Sequence, residues 1–157
     1  MKNIQLINFI NLTHEELKMV LDWRNNPSIK KWMYSSDDIT LDSHLKYIVS
    51  LKKRDDRKYF LVKDNNNYIG VIDLTSINYK NKEAEIGLYS NPEIKGNGKI
   101  ILQSIIEYGF NNLKLERLFA NLFIENETAY SLYKNFSFKE YKRDEQLIYM
   151  ELKNENR

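Results

Sequence analysis

Cysteine is absent from the 157 residues. No disulfide can form, and no thiolate can act as nucleophile or metal ligand. Histidine is nearly absent too: His14 and His44 stand far apart, without the spacing of a metal site. Charge of one sign is not in excess. Lys and Arg number 24 against 22 Asp and Glu, for a net charge of +2. Nucleic-acid binders carry a stronger basic surplus or a basic run, so that class is disfavoured. No apolar run approaches the length of a membrane span, and the opening MKNIQLINFI lacks a signal-peptide core and cleavage site. The expectation is a cytoplasmic protein with no membrane partner. Proline (2) and glycine (5) are too scarce for linkers or low complexity.

What remains is globular: 42% apolar, 29% charged and 13% aromatic. The length suits one domain, 1–157, with one sizeable core. Thr13-His14-Glu15-Glu16 reads as a capping box, followed by an apolar stripe of Leu17, Val20, Leu21 and Trp23. Asn25-Asn26-Pro27 breaks that helix, and a short helical piece at 28–33 follows. Thr40 caps another helix with Leu41, Leu45, Ile48 and Leu51 at helical spacing. From residue 58 the period shortens. Strands are expected at 59–62, 68–77 and 83–90, then a helix to about residue 112. A strand at 115–123, a helix at 126–135 and a hairpin at 138–152 complete the chain. Hairpin and crossover connections alternate, so the sheet should be mixed.

The sharpest local feature is Lys95-Gly96-Asn97-Gly98-Lys99, between a strand and an apolar helix. Two glycines let backbone approach a ligand closely, and the helix start offers free N–H groups to phosphate. It is neither a Walker A loop, which needs Gly-Lys-Ser/Thr, nor a dinucleotide fingerprint, which needs a third glycine.

Glu83–Tyr89, this loop, and Asn126-Glu127-Thr128-Ala129-Tyr130-Ser131-Leu132-Tyr133 together resemble the GNAT acetyltransferase superfamily. Two departures stand out. Glu93 occupies a position where Gln or Arg is usual, and Ser137 replaces a glycine before Phe138. The resemblance implies an α/β fold with a mixed sheet of about seven strands flanked by about four helices. It implies acetyl-CoA as co-substrate and no metal. Lys95, Gly96, Asn97, Gly98 and Lys99 would take the pyrophosphate. Leu88, Tyr89 and Ser90 would pair with the pantetheine arm, Asn126 and Tyr130 would flank the cofactor, and Tyr133 would lie near the sulfur.

Without cysteine, direct attack of an amine in a ternary complex is favoured over an acyl-enzyme. A Tyr phenol (pKa roughly 10) is close enough to a thiol (roughly 8.5) for Tyr133 to act as general acid. Three residues compete as general base. Asp73 interrupts an apolar strand, where a carboxylate is costly unless paired or functional. Glu85 lies on a strand face, and His44 has an intrinsic pKa near neutrality.

The acceptor site is expected in the N-terminal third, at Arg24, Asn25, Lys30, Trp32, Met33 and Tyr34. Cations beside aromatic rings suit a nucleotide diphosphate. This segment and Ile39–Leu45 resemble the N-acetyltransferases of pseudaminic acid biosynthesis. That implies acetylation of the 4-amino group of UDP-4-amino-4,6-dideoxy-N-acetyl-β-L-altrosamine, for flagellin glycosylation. An N-terminal protein acetyltransferase of the ribosomal-protein-modifying type and a non-catalytic acyl-CoA-binding module stay open. The C-terminal hairpin offers an edge for a homodimer.

Overall fold

The computed structural model describes residues 3–156. A seven-stranded mixed sheet runs in the order β1-β2-β3-β4-β5-β7-β6. Its strands are β1 (Ile4–Asn8), β2 (Lys58–Asp64), β3 (Asn67–Asn78), β4 (Glu83–Ser90), β5 (Arg117–Phe123), β6 (Lys139–Arg143) and β7 (Leu147–Lys153). The helices are α1 (His14–Asn25), α2 (Pro27–Lys30), α3 (Leu41–Leu51), α4 (Gly98–Glu107) and α5 (Glu127–Asn135). There are five of them, the short α2 arising because Asn26 ends α1 and restarts the chain. Its side chain accepts from the Ser28 amide, with Pro27 in the first helical turn.

Local chemistry sets the helix starts. The Glu16 amide donates to Thr13 Oγ1 at 3.2 Å, and the Thr13 amide donates to Glu16 Oε1 at 2.9 Å. Thr40 caps α3 by accepting from the Ser43 amide. The helix expected to reach about residue 112 leaves α-geometry at Glu107 and finishes as a π-helical turn, Tyr108–Asn112. Ser137 sits at φ +72°, in the left-handed region that a glycine would adopt freely.

The sheet separates two apolar layers. One side packs Ile72, Leu74, Ile86, Leu118 and Met150 against Ile101, Leu102 and Ile105 of α4 and Tyr133 of α5. The other packs Leu61 and Val71 against Val20 and Trp23 of α1 and Ile48 and Leu51 of α3. Trp23 is therefore a core residue. Each buried aliphatic side chain is worth about 1.5–3 kcal/mol relative to exposure.

One irregularity shapes the molecule. β3 and β4 pair along the whole length from Thr75↔Glu85 to Gly70↔Ser90. β4 and β5 are parallel and pair only at Glu83↔Arg117, Ala84↔Leu118 and Glu85↔Phe119. Beyond Glu85 the two strands part, and the sheet opens into a wedge.

Candidate active site

The wedge leaves the outer edge of Ile86–Ser90 without a strand partner. Backbone N–H and C=O groups there need acceptors and donors, which an extended amide-bearing chain can supply. The loop after β4 starts from Asn91. Its amide donates to the Ile69 carbonyl, its Nδ2 donates to the Tyr68 carbonyl at 3.0 Å, and its Oδ1 accepts from the Glu93 amide. Gly96 follows at φ +88° with open space around it. Asn97 provides no side-chain cap for α4, so the first amides of that helix keep their hydrogens for an outside acceptor. Lys95 and Lys99 are exposed, and among the described residues neither forms an ion pair. A Cβ at Gly98 would lie 3.4 Å from Leu132 Cδ2 of α5. Strand edge, loop and helix start thus present donors of the kinds that a pantetheine–pyrophosphate chain requires. The Glu93 departure is harmless to this design, because its side chain is exposed and its backbone makes the turn.

Tyr133 lies across the same wedge. Its ring is 6% exposed and packs edge-on against Phe138 at 5.1 Å. Burial, and the nearby charges of Asp73 and Glu85, raise its pKa above the ordinary tyrosine value. The ring belongs to the α4/α5 layer, whereas those carboxylates lie on the opposite sheet face. Asn126 caps α5, its Oδ1 accepting from the Ala129 amide. The Tyr130 hydroxyl donates to Glu140 of β6, which ties α5 to the terminal hairpin.

On the α1/α3 face, register aligns Tyr59, Asp73 and Gly87 across β2, β3 and β4. A Cβ on Gly87 would fall 2.7 Å and 2.9 Å from the two oxygens of Asp73, so the missing side chain makes room for the carboxyl group. Burial, reinforced by the Glu85 charge and opposed by Arg57, pushes the Asp73 pKa up to about 7. Glu85 accepts from the Tyr34 hydroxyl at 2.8 Å, and Asn121 Nδ2 donates to that hydroxyl at 3.3 Å. Tyr34 is 69% exposed, yet its hydroxyl reaches into the cleft.

The 31–40 loop that brings Tyr34 is held from α1. Asn25 donates to the Ile39 carbonyl at 2.8 Å and accepts from the Ile39 amide at 2.7 Å. Arg24 Nη2 donates to the Ser35 carbonyl at 2.7 Å, while its Nη1 is buried without a partner. Arg24 also faces Tyr89 closely enough to oppose the rise in that residue's pKa.

Several expected site residues are otherwise engaged. His44 is not in the cleft group: its Nε2 donates to the Leu17 carbonyl at 3.0 Å, which joins α3 to α1, and burial lowers its pKa. Asn25 serves the loop with both ends of its amide. Lys30 is neutralised by Asp38 at 2.7 Å, and Trp32 is half-buried under Lys31, beside a half-buried Met33. Conversely, Arg57, Tyr59, Asn91 and Asn121 were not singled out in the sequence. Tyr59 shows as one residue of an alternating strand, and nothing local links it to Asp73. Among the described residues no three His, Cys, Asp or Glu side chains gather as a metal site.

The GNAT acetyltransferase domain model matches residues 7–139. The chain belongs to the GNAT acetyltransferase family. As a GNAT enzyme it is an acetyl-CoA-dependent N-acetyltransferase. Acetyltransferase PseH of Campylobacter jejuni is 37% identical over 96% of this chain and 94% of its own. A crystal structure of that enzyme with acetyl coenzyme A superposes with a TM-score of 0.83 at 34% identity, covering 97% of this chain and 99% of the other. A spermidine N(1)-acetyltransferase of Vibrio cholerae is 28% identical over 82% of this chain and 76% of its own. The crystal structure of a V. cholerae spermidine N-acetyltransferase, 22% identical, shares the GNAT fold with a TM-score of 0.88, covering 98% of this chain and 96% of the other.

Proposed function

We propose that this GNAT enzyme acetylates the 4-amino group of a UDP-linked 4-amino-4,6-dideoxy sugar in pseudaminic acid biosynthesis, toward flagellin glycosylation. The observation that carries the reading is the 37% identity with PseH across nearly the full length of both chains. The geometry is compatible with it. Arg24 keeps a buried, unpaired N–H beside Tyr89, and an unpaired buried donor is costly until an acceptor arrives. A phosphate oxygen is such an acceptor. Trp32, Tyr34 and Tyr89 offer ring surface nearby, and Asp73 and Glu85 suit the amine.

The reaction is direct transfer in a ternary complex. The neutral amine attacks the thioester carbonyl, and Tyr133 protonates the departing sulfur. Both substrates are cytoplasmic metabolites, which is the setting proposed for the enzyme. A homodimer belongs to the same proposal. The outer edge of β6 is open to it, although its Lys139, Glu140, Lys142 and Arg143 are all exposed and resist simple edge pairing.

A polyamine acceptor is the second reading. The likeness to spermidine acetyltransferases and the carboxylates of the cleft favour it. Release of free thiol, followed with the UDP-amino-sugar, spermidine and a peptide N-terminus in parallel, separates the cases. The sugar should win in kcat/KM by at least about 10²-fold, as expected where a site's polar groups are satisfied only by the right substrate. Preference for spermidine or the peptide overturns the acceptor. Acetyl-CoA binding with no turnover of any amine makes the chain a binding module.

A further inference from the structure

We propose that Asp73 is the base that accepts the acceptor amine's proton, and that Arg57 and Glu85 set its strength from opposite sides. The proposal rests on the chain being an amine acetyltransferase, but not on which amine it takes.

Three groups competed for this role, and two of them are already committed. The imidazole of His44 faces the Leu17 carbonyl between two helices. Glu85 accepts the Tyr34 hydroxyl, itself held by Asn121, and so is engaged with the 31–40 loop. Asp73 receives no side-chain hydrogen bond among the described residues, and both its oxygens face the space left by Gly87. It shares the cleft with Tyr133, the proposed acid, whose pKa its charge helps to raise. A base and an acid in electrostatic contact across one cleft is the arrangement that amine acetylation needs.

The groups facing Asp73 are few. From the segment entering β2 comes Arg57, and from β2 itself Tyr59. From β4 come Glu85 and Tyr89, and from α5 comes Tyr133. Only Arg57 carries positive charge. Its Nη1 donates to the Tyr47 hydroxyl at 3.1 Å, and Tyr47 donates to the Tyr59 hydroxyl at 3.0 Å. The Arg57 Nε is buried without a partner. The row Arg57–Tyr47–Tyr59 thus links the cation to the residue that lies opposite Asp73 in the sheet. Burial does most to bring Asp73 near neutrality; Glu85, two residues from Gly87 on the same face of β4, adds to the rise, and Arg57, two residues before the paired Tyr59, opposes it.

The proton count closes. The amine nitrogen forms the N–C bond and gives one proton to Asp73. The C–S bond breaks, its electron pair stays on sulfur, and Tyr133 supplies one proton there. The proton on Asp73 then replaces the one lost by Tyr133 through solvent. Amine and thioester become amide and thiol with no net exchange with the medium.

The test is the pH profile of kcat/KM for one acceptor amine in wild type, Glu85→Gln, Arg57→Met, Arg57→Lys and Asp73→Asn. The amine's own ionisation is common to all five and cancels. Glu85→Gln should move the acidic limb down and Arg57→Met should move it up, each by about one pH unit. Arg57→Lys, which keeps the charge, should return the limb to its wild-type place. Asp73→Asn should abolish the limb and slow transfer by about 10²-fold or more. Limbs that stay put or move together, or an Asp73→Asn rate within about threefold of wild type, would overturn the assignment. Carbon-13 NMR titration of Asp73 in the free protein reads the same opposite shifts without any substrate. Absence of turnover with every amine therefore defeats the acetyl-transfer reading, while the titration still decides whether Arg57 and Glu85 tune Asp73.

Discussion

Single residues carry the proposed chemistry of this enzyme, and two of them can be probed without disturbing its packing. Tyr133→Phe keeps the ring against Phe138 and removes only the hydroxyl. Single-turnover transfer at saturating acetyl-CoA should fall about 10²- to 10⁴-fold, with melting temperature and acetyl-CoA affinity nearly unchanged. A mutant within about threefold of wild type would return Tyr133 to a packing role. Asp73 makes a prediction about stability. Its folded pKa of about 7 lies above the unfolded aspartate value of about 3.9. The folded state therefore holds the proton more tightly, and stability is lost as pH rises between those two values. Asp73→Asn removes that penalty. Urea unfolding should show the mutant more stable than wild type at pH 8, by about 1–4 kcal/mol, and no more stable near pH 4.

At the scale of elements, two loops are proposed to receive the substrates, and each has one residue that tests its part. The 31–40 loop hangs on Asn25 through two backbone hydrogen bonds to Ile39. Asn25→Ala should release Ile39 and loosen the loop that carries Tyr34, raising the acceptor KM several-fold while leaving the acetyl-CoA KM within about twofold. Equal rises in both constants would mean that the loop serves the donor as well. The 91–98 loop depends on close approach. The Cβ of Gly98→Val would touch Leu132 at ordinary distance, so the fold should tolerate it. Its branched methyls would still crowd the first amides of α4. Calorimetry should show acetyl-CoA binding weakened by about tenfold or more, with little change in melting temperature, and unchanged affinity would detach this loop from the donor site.

The whole molecule is a sheet held open on one side. β3–β4 pairing runs unbroken from Thr75↔Glu85 to Gly70↔Ser90, whereas β4–β5 pairing stops after three residue pairs. A donor chain lying in the wedge would satisfy strand edges that the protein itself leaves free. Acetyl-CoA should therefore stabilise the fold: at 100 times its Kd the gain is about 2.7 kcal/mol, several degrees in melting temperature for a domain of this size. A thermal shift with acetyl-CoA that is absent with free acetate would show the adenosine–pantetheine part at work.

Much of this was legible along the chain because it rests on local periodicity and capping. Thr13–Glu16, Thr40, the alternation of β4 and the glycines at 96 and 98 act within a few residues, so the element order and the turn into α4 followed directly. Ser137 could be read as a turn departure, and its left-handed φ agrees. Register and helix placement have no local signature. Whether Asp73, Glu85 or His44 faces the substrate depends on which strand lies opposite which, and on α3 crossing α1. Those choices are made by burial of the two apolar layers, and they turned His44 inward and left Asp73 over Gly87. Residue types and spacing determined what kind of enzyme this is; tertiary packing decided which carboxylate is buried and raised in pKa, because a pKa belongs to surroundings drawn from several elements at once.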